Sequence, residues 1–269
     1  MIIVTGSRGF IGRNFLKAFE DSDDVIIPVD SDIIEWMVND FKDWHKVDLV
    51  IHQGAISSTI EKDIDKIHYY NVHLTLKLFE KCIKYGIPVK YASSASVYGN
   101  LQGVFNPLNY YAISKLQIDY WVQDNIDEFS LIQGFRYFNV YGNDEEKKGD
   151  QASPVTKFAN QAKTGKIKLF ENSDKYLRDF VSVDDVCEVH GKMLNADVSG
   201  IFNVGTGAPI SFQKVAELVA KKYNAEIETI PMPTKLQGQY QTYTSADLTE
   251  LNKNIEHNFR TVEEFLNAN

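Results

Sequence analysis

Met1-Ile2-Ile3-Val4-Thr5-Gly6-Ser7-Arg8-Gly9-Phe10-Ile11-Gly12 opens the chain and decides how the rest is read. Ile2-Ile3-Val4 is a continuous apolar run, the pattern of a parallel strand buried on both faces. Three glycines follow at once, and a helical apolar spacing runs from Asn14 to Phe19. This order places free backbone N–H groups where a pyrophosphate can sit, and glycine lets the backbone come close to it. The spacing is GxxGxxG rather than GxGxxG. As a bare pattern it is weak, but its position between a strand and a helix favours a dinucleotide site over a structural turn.

Working outward, Val25 to Val29 reads as a second strand ending at Asp30, near the distance at which an acid meets an adenosine ribose. That argues for NAD. Arg8, inside the glycine loop, offers a charge-assisted contact to a 2′-phosphate, which argues for NADP. The two remain in competition. A short, partly helical segment around Trp36 to Trp44 leads to a third strand, Asp48 to His52. It runs into Gln53-Gly54-Ala55, a small-residue loop expected to touch the cofactor. His52 is expected to pack beside its strand. Asn71 to Tyr85 has the apolar spacing of a core helix, through Val72, Leu76, Phe79 and Ile83, with Gly86 in the C-cap position. After the next strand, Val89 to Ala92, hydroxyls accumulate in Ser93-Ser94-Ala95-Ser96-Val97-Tyr98, at the strand end where open α/β sheets bind ligands.

Tyr111-Ala112-Ile113-Ser114-Lys115 puts a phenol and an ammonium four residues apart, on one helix face. The ammonium is expected to lower the phenol from its free value of about 10, so that Tyr111 exchanges a proton with a substrate hydroxyl, helped by Ser94. Such a pair alone is common on solvated helices. It gains weight from the glycine loop and the serines that precede it. No GxSxG elbow is present, and no acid or histidine stands beside the serines, which disfavours hydrolase chemistry.

Composition narrows the partners. A chain of 269 residues with 43% hydrophobic residues can bury a sizeable core, while a formal charge of −9 argues against nucleic acid or an anionic membrane. Cys82 and Cys187 stand alone, and the six histidines have no HExxH-like spacing, so no metal site is expected. With no basic leader ahead of Ile2 and no apolar run near 20 residues, a soluble, cytoplasmic protein is expected.

With these stretches in this order, the chain resembles the extended short-chain dehydrogenase/reductases that modify nucleotide sugars. Phe135-Arg136-Tyr137-Phe138-Asn139-Val140-Tyr141-Gly142, Arg178-Asp179-Phe180-Val181-Ser182-Val183-Asp184-Asp185-Val186 and Phe202-Asn203-Val204-Gly205-Thr206-Gly207 look like three further segments of that family. The resemblance implies a Rossmann-type doubly wound parallel sheet, NADP or NAD as cofactor, and a nucleotide-sugar substrate. It makes Ser94, Tyr111 and Lys115 catalytic, with Lys115 also on the nicotinamide ribose. Gly6, Arg8, Gly9, Phe10, Ile11 and Gly12 would hold the dinucleotide. So would Asp30, Ser31, Gln53, Gly54, Ala55, Asn71 and Val140. Asn139 and Arg178 would bind substrate, and a guanidinium independently suits a diphosphate.

Within the family, Gly54 to Thr59, Lys148 to Ser153, Lys168 to Glu171 and Lys235 to Gln241 resemble the branch that epimerises the C6 carbinol of ADP-heptoses. That branch uses NADP, which adds weight to NADP here. It implies a second base at Lys148 and substrate contacts at Asp150, Lys157, Phe170 and Tyr240, although Asp150 and Lys157 replace a serine and a histidine of its pattern. By composition alone, Asn143 to Asp150 is a solvated charge run.

The substrate lobe is expected at 143–175 and 207–269, interleaved with a dinucleotide-binding part at 1–142 and 176–206. In the lobe Phe158 to Lys163 should be helical, Ile167 to Phe170 and Glu226 to Ile230 strands, and Ser211 the cap of a helix from Phe212 to Tyr223. A homo-oligomer is expected. Competing functions are a 4-epimerase of another nucleotide sugar, which needs Tyr111 but not Lys148, and a non-catalytic cofactor-binding regulator. A dehydratase is disfavoured, because Ala95 and Ser96 stand where its neighbouring carboxylates belong.

Overall fold

Apolar runs too short to cover themselves must pair into a sheet, and six of them do so here. The computed structural model describes residues 1–54, 56–101, 103–233 and 242–268. Strand β1 (Ile2–Thr5) is fully buried and leads through the glycines into α1 (Phe10–Ala18). Next come β2 (Ile26–Val29), the short α2 (Ile34–Asp40) and β3 (Leu49–His52). One turn of helix, α3 (Ile64–Ile67), and a π-helical stretch from His68 to His73 run into α4 (Leu74–Tyr85). This helical run starts earlier than the apolar spacing from Asn71 suggested. Its end is as read, with Gly86 left-handed at φ 65° and Ile87 N bonded back to the Cys82 carbonyl.

Strand β4 (Val89–Ser94), α5 (Tyr110–Asp124) and β5 (Ile132–Tyr137) complete the first half. Then follow β6 (Asn139–Tyr141), α6 (Pro154–Ala162), β7 (Lys166–Phe170), β8 (Leu177–Arg178) and β9 (Phe180–Ser182). Helix α7 (Val183–Lys192) and β10 (Gly200–Val204) return to the large sheet. The chain continues through β11 (Ile210–Ser211), α8 (Phe212–Tyr223), β12 (Glu226–Ile230), α9 (Thr249–Asn252) and α10 (Val262–Ala268).

The sheet is parallel with strand order β10-β5-β4-β3-β1-β2. The direction of winding reverses between β1 and β3, and the C-terminal ends of these two strands are where this class of sheet takes its ligand. One face packs on α2, α4 and α5 through Met37, Leu78, Phe79 and Ile118; the other packs on α1 and α7 through Phe15, Val186 and Val189. This is the doubly wound Rossmann arrangement. Each such side chain, fully buried, stabilises by roughly 1.5–3 kcal/mol before entropy is charged against it.

A separate apolar cluster gathers Tyr141, Phe158, Ile167, Phe180, Val215 and Phe265 around α6, α8 and the β7–β12 pair. Ser211 caps α8 by accepting from Lys214 N, as the sequence predicts. Among the described residues no helix is long and apolar enough to cross a membrane.

Candidate active site

The crevice between β1 and β3 is shaped by missing side chains. Gly6 is left-handed at φ 67°, and a Cβ there would lie 2.8 Å from both Gln53 C and Gly54 N. A Cβ on Gly12 would lie 2.1 Å from the Gly6 carbonyl oxygen. The glycine loop and the Gln53–Gly54 peptide therefore meet backbone to backbone. Helix α1 begins at Phe10, earlier than the apolar spacing indicated, with Gly9 at its N-cap and no side chain capping it. Its first-turn N–H groups have no intrahelical acceptor.

Thr5 bolts this wall together. Its Oγ1 accepts from Gly54 N at 3.1 Å and meets His52 Nδ1 at 2.7 Å, while His52 Nε2 meets Thr75 Oγ1 at 2.9 Å. Burial, helped by Lys115, pushes His52 down to about 3, so it is a neutral packing residue. Asn71 is buried and holds the loop from below: its side chain accepts from Ile56 N at 2.8 Å and donates to Ile56 O and Ser114 Oγ. Ala55 lies outside the described residues.

The two cofactor-selecting candidates bind each other. Arg8 Nε lies 3.0 Å from Asp30 Oδ2 and its terminal nitrogen 2.6 Å from Asp32, while Ser7 Oγ also donates to Asp30. The guanidinium read as free for a 2′-phosphate is thus shared between two carboxylates. Ser31, between them in sequence, is exposed.

Asn109 caps α5 by accepting from Ala112 N, so Tyr111 stands in the first turn and Lys115 one turn on. Tyr111 is half-buried beside Ser94, whose Oγ accepts from Ser96 N and Oγ. The expected lowering of the phenol by Lys115 does not occur. Burial raises Tyr111, the Ser94 hydroxyl works against it, and Asp119 adds to the rise. Lys115 itself is buried and donates to the Ala92 carbonyl at 2.7 Å; burial lowers it to about 8.

One residue that the sequence reading missed continues this stripe. Asp119, at i+4 from Lys115, is 1% exposed and accepts from Tyr91 Oη, Ser93 Oγ and Arg136 Nε at 3.0, 2.9 and 2.7 Å. Arg136 Nη1 donates to Tyr98 Oη, which donates to Asn203, and the guanidinium stacks 4.7 Å from the Phe105 ring centre. An acid on the buried stripe of a helix was the available signal. Beside this network lies a cavity of about 470 Å³, lined among others by Ala95, Tyr98, Phe105, Arg136, Phe138 and Thr244. It adjoins Ser94 through Ala95.

The remaining substrate candidates are spread over the second cluster. Asn139 starts β6, its N–H donating to the Asp179 carbonyl; Val140 beside it packs against the α1/α7 core. Arg178 is buried, donates to the Leu177 carbonyl and lies 5.4 Å over the Phe212 ring. Phe170 ends β7 half-buried, and Lys157 Nζ donates to the carbonyl of exposed Asp150. None of these five lines the cavity. Tyr240 lies outside the described residues.

The charge run is solvated except at one residue. Asn143, Glu146, Lys147 and Asp150 are exposed, and Glu145 to Gln151 forms 3₁₀ turns that break at Gly149, but Glu145 is fully buried, accepting from Ser153 N, Ser153 Oγ and Thr156 Oγ1 at 2.6–2.8 Å. Lys148 Nζ sits 3.4 Å from Glu145 Oε1 and 5.4 Å over the Phe10 ring, against the glycine loop. Asp185, Glu188 and His257 also place ligand atoms within 4.8 Å of one another, but Arg260 already pairs with both carboxylates.

The crevice fits a dinucleotide by two features of its own: a backbone cradle that any Cβ would fill, and Gln53 Nε2, a buried donor with no partner among the described residues. The chain is similar to ADP-L-glycero-D-manno-heptose-6-epimerase of Helicobacter pylori, with 25% identity, TM-score 0.84, and 99% of this chain and 93% of that one covered. It is similar in fold to UDP-glucose 4-epimerase of Thermotoga maritima (24%, TM-score 0.85, 98% and 96% covered). The same holds for RMD of Pseudomonas aeruginosa, solved with NADPH (21%, TM-score 0.80, 99% and 96% covered). The profile of the NAD dependent epimerase/dehydratase family matches residues 2–205, three quarters of the chain, and the protein belongs to that family.

Proposed function

We propose that this protein is a nucleotide-sugar epimerase that works by reversible hydride transfer to a bound nicotinamide dinucleotide, with the C6 carbinol of an ADP-glyceromanno-heptose as its substrate. The observation that carries the reaction class is the pairing of Tyr111 with Ser94, with Lys115 one turn along, at the strand ends beside the backbone cradle. The dinucleotide accepts and returns a hydride. Tyr111 exchanges the carbinol proton, Ser94 lies beside its phenol, and Lys115 stands one turn along the same helix, where it would hold the nicotinamide ribose. The heptose branch inverts its carbinol with a second proton group, and Lys148 against Phe10 is the candidate for it.

Support for the heptose comes from the four stretches that resemble that branch and from the likeness to the Helicobacter enzyme. For the cofactor, the weight moves from NADP to NAD: a 2′-phosphate would meet Asp30 and Asp32, with Arg8 already committed to both. Residues 1–142 with 176–206 are taken as the dinucleotide part and the remainder as the substrate lobe.

The test is turnover by purified protein of ADP-D-glycero- and ADP-L-glycero-manno-heptose beside UDP-glucose and UDP-galactose. Tyr111→Phe should cost at least ~100-fold in rate while dinucleotide still binds, the scale of a lost general acid/base. Lys148→Met should suppress heptose interconversion by a similar factor, with Lys147→Met near the parent rate. Interconversion of only the UDP-hexoses, unchanged in Lys148→Met, would establish a 4-epimerase; retained dinucleotide with no sugar turnover would establish a regulator.

A further inference from the structure

One buried polar chain under the cofactor wall has no part in the proposed chemistry. Tyr137 ends β5, and its hydroxyl lies 3.1 Å from Gln53 Oε1 and 2.7 Å from His190 Nε2. His190, on α7, is 2% exposed, with its ring 4.0 Å from that of Phe135 and 4.7 Å from that of Phe15. Burial and the neighbouring Lys90 keep the imidazole neutral, so it carries one proton.

The position of that proton follows from the partners. His190 Nδ1 is buried with no hydrogen-bond partner among the described residues, whereas Nε2 faces the tyrosine oxygen. A buried N–H left without an acceptor costs about 1–3 kcal/mol, so the proton belongs on Nε2 and is donated to Tyr137. Tyr137 then has its own proton to give, and Gln53 Oε1 is the acceptor within reach. The chain runs one way, and its direction fixes the Gln53 amide with Oε1 held and Nε2 free to donate. Gln53 is also the residue whose carbonyl carbon and oxygen would lie within 2.9 Å of a Cβ on Gly6, and whose N–H bonds the Thr5 carbonyl. Its side chain and its peptide are thus two ends of one rigid piece.

We propose that Tyr137 and His190 are positioning residues for the dinucleotide: by the chain His190 Nε2–H to Tyr137 Oη–H to Gln53 Oε1 they set the Gln53–Gly54 wall against which the cofactor lies. The inference rests on the dinucleotide reading above. Neither residue touches the reacting atoms. Both act from a different helix and strand than the glycine loop, so their contribution is separable from it.

The experiment is calorimetric titration of the full chain with NAD, with thermal unfolding measured alongside. Tyr137→Phe, Gln53→Leu and His190→Leu should each weaken NAD about tenfold, the scale of one broken buried hydrogen bond. Because they break one chain, Tyr137→Phe with Gln53→Leu should be no weaker than the weaker single change, where independent effects would multiply to about 100-fold. His190→Gln, which restores an N–H donor at similar reach, should return to within about threefold of the parent. Ser211→Ala, which removes the α8 cap far from the crevice, should lower the melting temperature by a comparable amount with NAD affinity unchanged.

Tyr137→Phe binding NAD within about twofold of the parent, or changes that multiply in the double variant, overturns the proposal. Should Tyr137→Phe not fold, the His190→Leu and His190→Gln pair decides by the same criteria: equal affinities overturn it. A folded parent that binds neither NAD nor NADP would remove the dinucleotide reading together with this one, which distinguishes that failure from a failure of the relay alone.

Discussion

The glycine loop after β1 and the turn from Glu145 to Gln151 lie against each other, Phe10 of one under Lys148 of the other, yet they are held by opposite means. The first is fixed by shape. Gly6 and Gly12 leave no room for a single added carbon, and the wall they meet is peptide backbone. The second is fixed by one charge, the buried carboxylate of Glu145, which gathers a backbone N–H, two hydroxyls and the Lys148 ammonium. A shape-fixed wall suits a cofactor that stays the same through every turnover. A charge-fixed turn keeps a lysine at a chosen place and can be retuned by changing a few polar partners.

If that contrast holds, adding an atom should damage the first region most. Gly12→Ala puts a methyl carbon 2.1 Å from the Gly6 carbonyl oxygen, so α1 or the loop must move. Overpacking of this kind costs about 1–3 kcal/mol of stability. Because the displaced groups are the cradle itself, NAD titration of the folded variant should show no saturation over the range that fills the parent. Saturation at the parent's concentration would mean that the close approach is not what shapes the cleft.

The second region should respond to charge and not to volume. Glu145→Ala leaves Ser153 N and the Ser153 and Thr156 hydroxyls without their acceptor, at about 1–3 kcal/mol for the site. Glu145→Gln keeps the shape and one acceptor oxygen, so its loss in chemical denaturation should be smaller. In both variants NAD affinity should stay at the parent value while heptose turnover falls with the displaced Lys148. An equal loss of NAD affinity would show that the two regions are one unit.

The same contrast explains what the sequence discloses. The β1–glycine–α1 unit, the Gly86 cap and the Ser211-capped helix are all local, each decided within about ten residues, and each is where the pattern puts it except that α1 starts early, at Phe10. Tyr111 and Lys115 share a helix face for the same reason. Asp119 and Arg136 are 17 residues apart on a helix and a strand, so their pairing becomes visible only when β4 and β5 lie side by side. Glu145 looks like any member of a charge run, because its partners, Ser153 and Thr156, sit on the next helix and its cap. The His190 to Gln53 chain spans three elements and has no local signature at all. Electrostatic expectations fared worst: a spacing of four residues says that two groups are neighbours on a helix, but burial decides their protonation, and burial raises Tyr111.

The smallest effect should come from the one place where both principles meet, Arg8 at the mouth of the cradle. Its side chain is 67% exposed, so its pairs with Asp30 and Asp32 are screened and contribute little to stability, within about 1 kcal/mol. Its effect should instead appear in cofactor choice. In the parent, Arg8 offsets two carboxylates that would otherwise repel a 2′-phosphate, and it is itself the one cation of that set. Arg8→Ala leaves Asp30 and Asp32 facing the ribose alone, so NADP affinity should fall several-fold while NAD, whose 2′-hydroxyl can donate to Asp30, changes by less than about twofold. Competition titrations of the two nucleotides against stripped protein give the ratio directly. A parent that prefers NADP, with the preference lost in Arg8→Ala, would return the guanidinium to the role its place in the glycine loop first suggested; a ratio that does not move would show that Arg8 only neutralises its neighbours.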